Sequence, residues 1–88
     1  MVPRVSAFFG IVIYMYWGEL EHHRPHFHAE YGNHKASVGF DGAVLGGDLP
    51  PRALRFVREW AALHQPELTA NWERARAQEP LERIDPLA

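Results

Sequence analysis

Apolar residues follow two different rhythms along this chain, one before residue 47 and another after residue 50. From Phe8 to Trp17 they form a nearly continuous run, rich in β-branched and aromatic side chains, which favours a strand. Both alternating sets of that run are apolar: Phe9, Ile11, Ile13 and Met15 on one side, Phe8, Val12, Tyr14 and Tyr16 on the other. Such a strand is predicted in the interior of a sheet, covered on both sides. Gly10 interrupts the run.

From His26 onward the alternation becomes strict. Gly32-Asn33 is a favoured two-residue hairpin connection, since both residue types tolerate positive φ. Pairing outward from it sets Tyr31 opposite His34, Glu30 opposite Lys35, Ala29 opposite Ala36, His28 opposite Ser37, Phe27 opposite Val38 and His26 opposite Gly39. One face then carries Phe27, Ala29, Tyr31, Ala36, Val38 and Phe40, a core face. The other carries His26, His28, Glu30, Lys35 and Ser37, with one cross-strand ion pair. A slip of one residue would bury Glu30 and Lys35, so the register resists alternatives. Asp41-Gly42 makes a second tight turn into a short strand from Ala43 to Gly46, with Leu45 opposite Val38 on the core face.

After Pro50-Pro51 the period changes. Leu54, Val57, Ala61, His64 and Leu68 recur at helical spacing, with Trp60 close to that stripe. Asp48 is a candidate N-cap, and the prolines suit a first turn, where a missing N–H costs nothing. Pro66 removes an i→i−4 hydrogen bond, so the helix should kink or restart there. Glu67 to Gln78 continues it, presenting Leu68, Trp72 and Ala75 on one side. The expectation is an α+β fold: a three- to four-stranded antiparallel meander over about residues 7–46, then a helical region over about 50–78, split near Pro66. Residues 79–88, bounded by Pro80 and Pro86, should run as an extended tail or dock on a partner. There is no internal repeat or low-complexity segment, and the whole of 1–88 reads as a single domain.

At 88 residues the chain has room for one core, and a chain this short buries only a modest share of its surface. Three Trp, three Tyr and five Phe offset that, each burying a large apolar area, and a partner chain or a homo-oligomer would add more. With no cysteine, a disulfide framework and a thiolate metal site are both excluded. This fits a reducing cytoplasm, the expected location. The run from Ala7 to Trp17 is too short to cross a bilayer, follows a single basic residue and lacks a small-residue cleavage site, so neither a membrane span nor a signal peptide is expected.

A formal net charge of −2 argues against binding a polyanion by bulk electrostatics, so any basic patch must be local. The histidines are local in that sense: five of the six lie between residues 22 and 34. His26 and His28, two apart on a strand, project from the same face about 7 Å apart at the backbone. His22 and His23 lie in a loop before Pro25 that can fold back over that face, and His22 is the stronger candidate of the two. Three chemistries suit the group. Two imidazoles and a carboxylate such as Glu30 can ligate a divalent metal, although His-x-His alone is a weak signal for one. Imidazole, with a free pKa of about 6.5, suits general acid–base work near neutral pH. His, Tyr and Arg on one sheet face can stack bases and contact phosphates of single-stranded RNA. Against all three stands a solvated polar face with no function. Tyr14 and Tyr16 border this face or belong to the core, core being the simpler assignment. Arg52, Arg55 and Arg58 line one ridge of the helix, where a solvated surface partly neutralised by Glu59 is the plain alternative to phosphate contact. His34 and His64 read as structural or solvent-exposed.

Three stretches carry a resemblance: Arg4-Val5-Ser6-Ala7-Phe8-Phe9-Gly10-Ile11; His22-His23-Arg24-Pro25-His26-Phe27-His28-Ala29-Glu30-Tyr31-Gly32; and Leu49-Pro50-Pro51-Arg52-Ala53-Leu54 through Glu59-Trp60-Ala61, with Asn71-Trp72 beyond. Together they resemble the small bacterial "PPHFHA" domain-of-unknown-function family over nearly the whole chain. The family pattern His-x-Pro-Pro-His-Phe-His is matched by His22, Pro25, His26, Phe27 and His28, while Arg24 replaces the first proline, so a looser loop around His22 is expected. Pro66 interrupts a helix expected to be free of proline in most relatives. Members are often encoded beside a second small domain of unknown function, and such pairs have been classed as type II toxin–antitoxin modules with this member as the toxin. The resemblance therefore implies a small antitoxin-like protein as cognate partner.

The leading expectation joins the two lines of reasoning: a toxin-like component acting on RNA or the translation machinery, a candidate metal-independent ribonuclease. His26, His28 and His22 would be the catalytic groups or substrate contacts, and Tyr14, Tyr16, Arg24, Arg52 and Arg55 would hold the RNA. No resident cofactor is expected, a divalent metal being the alternative. The competing classes are a non-catalytic module that docks a protein, with DNA as a co-ligand, and a small metal-binding protein.

Overall fold

The computed structural model describes residues 4–16 and 24–88. Five strands, β1 (Arg4–Phe8), β2 (Ile11–Tyr14), β3 (His26–Tyr31), β4 (His34–Gly39) and β5 (Val44–Gly47), precede two helices, α1 (Pro51–Leu63) and α2 (Gln65–Arg76). The strands form one antiparallel sheet in the order β1-β2-β3-β4-β5, a meander in which every neighbour in space is a neighbour in sequence. The fold is α+β, as the two rhythms predict.

The first apolar run is two strands, not one. Phe9 and Gly10 both take positive φ, 51° and 78°, and turn the chain so that Phe8 pairs with Ile11 and Ala7 with Val12. This hairpin reverses the expected parity. Phe8, Ile11, Ile13 and Met15 are buried in the core, whereas Phe9 at the turn is 54% exposed. The strands therefore run from residue 4 to residue 47, and β2 has a buried face and a half-open one instead of two covered faces. The β3–β4 hairpin follows the predicted register at every position, from Tyr31↔His34 to His26↔Gly39. Gly32 supplies positive φ (59°) at its turn. The tight turn at Asp41-Gly42 is also present, with Gly42 at φ 91° and the Gly42 N–H donating to the Gly39 carbonyl at 2.8 Å.

β5 departs from expectation. Its register shifts between Ser37 and Val38, so that Val44, not Leu45, faces Val38. Leu45 is the extra residue of this bulge and lies exposed instead of joining the core.

α1 covers the core face of the sheet with Ala53, Val57, Trp60 and Ala61, whereas Leu54, expected at the head of this stripe, is only half-buried. Trp60 is fully buried, its ring 5.6 Å from Phe8 and 5.5 Å from Phe27. Pro50 is the N-cap residue and no side chain caps the helix, so Asp48 does not fill that role. Pro66 sits in the first turn of α2, which restarts after His64 as predicted.

The tail is extended, but it docks on its own chain. Asn71 of α2, fully buried, donates to the Glu82 carbonyl at 2.8 Å and accepts the Glu82 N–H at 3.0 Å. Ile84 donates to the carbonyl of Val5 at 2.7 Å, at the bulge that separates the pairs Arg4↔Tyr14 and Ser6↔Ile13. Asp85 accepts the Trp60 indole N–H at 2.8 Å. Ile84 is buried, and Leu81 and Leu87 pack against the core. Part of the β1 edge, otherwise open to another strand, is thereby covered.

Candidate functional site

The face of the sheet turned away from α1 gathers most of the side chains singled out in the sequence. Across β2 and β3, Tyr14 pairs with His28 and Val12 with Glu30, so all four point the same way. Arg4, opposite Tyr14, shares the face. Tyr16 presents its ring edge-on to His28, with centroids 4.5 Å apart. Tyr16, His28, Glu30, Lys35 and Ser37, together with Gly46 and Gly47 of β5, line a shallow cleft of about 180 Å³. The tyrosines thus border the histidine face, and the assignment of both to the core does not hold, since both are half-exposed.

The two strand histidines differ in environment. His28 is half-exposed, and its Nδ1 lies 3.3 Å from the Ser37 hydroxyl. His26, 5% exposed, is buried on what the sequence alone marks as a polar face. Its ring lies 5.5 Å from Trp72 of α2 and 5.1 Å from His28. His26 Nδ1 is 2.9 Å from the Arg24 carbonyl. A carbonyl only accepts, so this ring nitrogen carries the proton and the contact fixes the tautomer. His26 therefore stands behind His28 and away from the solvent that a substrate would cross. The helix restart at Pro66 is what carries Trp72 to this end of β3, and no feature of β3 itself announces that cover.

Charge on the face is sparse. Lys35 Nζ lies 4.0 Å from Glu30 Oε2, the predicted cross-strand pair. At the rim, Arg24 binds the Asp41 carboxylate. The hydrogen bond from the Ala43 N–H holds this carboxyl below its ordinary pKa; loss of hydration opposes it, and Arg24 adds to the lowering. Arg24 is thus engaged in bracing the turn after β4.

Arg52 and Arg55 are elsewhere. Both lie on α1, over the ring of Phe56 at 5.5 and 5.9 Å, on the opposite side of the sheet from His28. Arg58, the third member of that ridge, donates to the Gly42 carbonyl at 2.9 Å and ties α1 to the turn before β5. His22 and His23 lie outside the described residues. Among the described residues no three His, Asp or Glu side chains come close enough together to hold a metal ion. No helix there is long and apolar enough to cross a membrane.

Three residues of this face escaped the sequence reading. Arg4 is visible only once Gly10 is read as half of a turn, which folds β1 back beside β2. Gly46 and Gly47 line the cleft because of the β5 bulge, and the order of residues around Leu45 gives no sign of it. Gly47 has φ 72°, and a Cβ there would come within 2.1 Å of the Lys35 carbonyl oxygen.

No curated protein and no solved structure matches the chain. The family model described as a domain of unknown function, DUF4160, matches residues 10–73, a span that holds β2 to β5, α1, and α2 as far as Glu73. Covering well over half of the sequence, that match shows that the chain belongs to the DUF4160 family.

Proposed function

We propose that this protein is the toxin-like component of a two-component bacterial module and that it engages RNA on the open face of its sheet, with His28 at the point of contact. The observation that carries the reading is the group formed by Tyr14, His28 and Tyr16: Tyr14 shares a sheet face with His28, and the rings of His28 and Tyr16 line its shallow cleft. A sheet face of this kind suits splayed, single-stranded bases, which stack on aromatic and imidazole rings without regard to sequence. Lys35 and Arg4 supply cations on the same face, and the Ser37 hydroxyl adds a donor and acceptor. The resemblance to families paired with a small partner supports the toxin-like role, and the cognate partner would be an antitoxin-like protein.

Cleavage of that RNA would follow from attack of a 2′-hydroxyl on the adjacent phosphorus, with a base taking the hydroxyl proton and an acid protonating the departing 5′-oxygen. His28 is placed for one of these roles. His26 is covered by Trp72, so it serves as a positioning residue for His28 and not as the second proton carrier. That burial favours a second reading, in which the face binds RNA and blocks its use without cutting it.

Tightly induced expression in bacteria tests both readings. Wild type should arrest growth, and His28→Ala at equal soluble level should not. Sequencing of RNA ends then separates cleavage, which leaves new ends bearing 2′,3′-cyclic phosphate, from binding alone, which leaves none. Growth unaffected by the wild-type chain, or arrested equally by His28→Ala, removes the proposal.

A further inference from the structure

On the other side of the sheet, the β1–β2 turn and the start of α1 enclose a second concavity of about 280 Å³, lined by Phe9, Ile11, Tyr31, Arg52, Ala53 and Phe56. We propose that this groove docks an acidic segment of a partner protein, anchored by one large apolar side chain. This is independent of the RNA reading, since it uses neither the cleft nor His28.

The shape argues for an anchor. The groove falls short of the roughly 300–1,000 Å³ typical of sites that enclose a small-molecule ligand, but it has room for one large side chain. Its apolar lining includes Ile11 and Ala53, and Phe9, Tyr31 and Phe56 form an aromatic wall. The Phe9 and Phe56 rings pack at 4.9 Å, tilted by 42° to one another. More than half of Phe9 lies open to solvent, and its φ of 51° is one that bulky residues rarely adopt. A large apolar ring held exposed in a strained turn serves no purpose in the core, which Phe8 next to it already fills.

The charge argues for the partner's chemistry. Arg52 and Arg55 lie over Phe56 at the rim, and neither has a carboxylate partner among the described residues. Four other cationic side chains of the described residues are so engaged: Arg24 with Asp41, Lys35 with Glu30, Arg74 with Glu82, and Arg76 with Glu73. Guanidiniums held over the Phe56 ring are available to receive carboxylates bidentately. Two cations beside a pit walled by aromatic rings fit a peptide with acidic residues flanking an apolar one. They fit a nucleic acid less well, because its binding draws on a longer row of phosphate contacts.

Fluorescence anisotropy on the full chain tests the proposal with a labelled peptide of Asp and Glu flanking a central Phe, and with its Lys-flanked counterpart. The acidic peptide should bind and the basic one should not. Phe9→Gly, which removes the ring and relieves the positive φ, should weaken binding at least tenfold. The surface variant Arg52→Glu/Arg55→Glu should do the same. Both variants should keep the wild-type circular dichroism and still bind RNA wherever the wild type does. Failure of the acidic peptide to bind, equal binding of the two peptides, or undiminished binding by both variants overturns the proposal. So does sedimentation showing a wild-type dimer that Phe9→Gly dissolves, which would assign the groove to a second copy. Preferential binding of a single-stranded oligonucleotide, lost in Arg52→Glu/Arg55→Glu, would assign it to nucleic acid instead.

Discussion

The indole N–H of Trp60 donates to the backbone carbonyl of Asp85 at 2.8 Å, joining the last turn of α1 to the C-terminal tail. The same ring packs on Phe8 and Phe27, so a single side chain connects helix, sheet and tail. Trp60→Ala should cost about 3–5 kcal/mol from the lost ring alone. A domain of this size has a total stability of about 4–13 kcal/mol at the usual value per residue. The variant should therefore lose about a quarter of its stability or more, seen as a much lower midpoint in a urea titration followed by far-UV circular dichroism. A midpoint near that of wild type would show that the core does not hinge on this ring.

Asn71 holds the tail by its backbone, much as a neighbouring strand would. Asn71→Ala leaves the Glu82 N–H and carbonyl without their partner, at about 1–3 kcal/mol for each group that stays buried. Hydrogen exchange should show the amides of Glu82 and Ile84 losing protection together, while those of the β3–β4 hairpin keep theirs. Unchanged protection at Glu82 would mean that the tail is held by Leu81, Ile84 and Leu87 instead.

His26 and His28 should separate by stability before they separate by activity. His26→Ala opens a gap beneath Trp72 and removes the contact to the Arg24 carbonyl, and should lower stability by about 2 kcal/mol. His28→Ala, at the cleft, should change it by less than about 1 kcal/mol. Urea midpoints of the two variants decide this. The reverse order would place His28 in the structural role and undo the assignment of the cleft.

Gly46 and Gly47 offer a paired test of the cleft wall. Gly47→Ala should cost about 1–3 kcal/mol in backbone strain, with the clash against the Lys35 carbonyl in addition. Gly46→Ala, with open space around its Cβ, should stay within about 0.5 kcal/mol of wild type. Equal midpoints for the two would mean that β5 can shift away from β4.

The start of α2 carries a pH signature. The Glu67 carboxylate lies 3.0 Å from His64 Nδ1, and this contact, followed by the backbone hydrogen bond of Glu67, holds its pKa below the ordinary 4.5. A carboxyl depressed in the folded state contributes stability above its unfolded pKa and loses it as the pH falls through the folded one. The urea midpoint of wild type should thus fall as the pH drops below about 4.5, and Glu67→Gln should show a smaller fall over the same range. Parallel curves for the two proteins would remove His64–Glu67 as a source of acid sensitivity.

These residues also show where sequence could be read and where it could not. The β3–β4 register was legible because Gly32-Asn33 and strict alternation fix it jointly, and either alone would leave a slip open. Pro66 announced the restart of α2 because a proline has only one comfortable place in a helix. The β1–β2 turn was hidden because Phe9, a poor residue for positive φ, occupies it inside an otherwise strand-like run. Leu45 was misplaced because a bulge adds a residue without altering the apolar pattern. The cleft was half legible: alternation put His28, Glu30, Lys35 and Ser37 on one face, but it could not show that Trp72, from the far end of the chain, would close over His26. Arg52 and Arg55 drifted from that face for a related reason, since helical spacing says which residues share a ridge and nothing about which side of the sheet the ridge lies on.

The bond from Ile84 to Val5 has a consequence for the order in which the protein is made. Residues 81–87 leave the ribosome after everything they fasten, so the hairpins and α1 must wait for them with the Trp60 indole and the Asn71 amide still unanswered. A chain stalled or clipped before that point would hold most of its secondary structure yet lack its closing contacts, and quality-control proteases would meet it in that state.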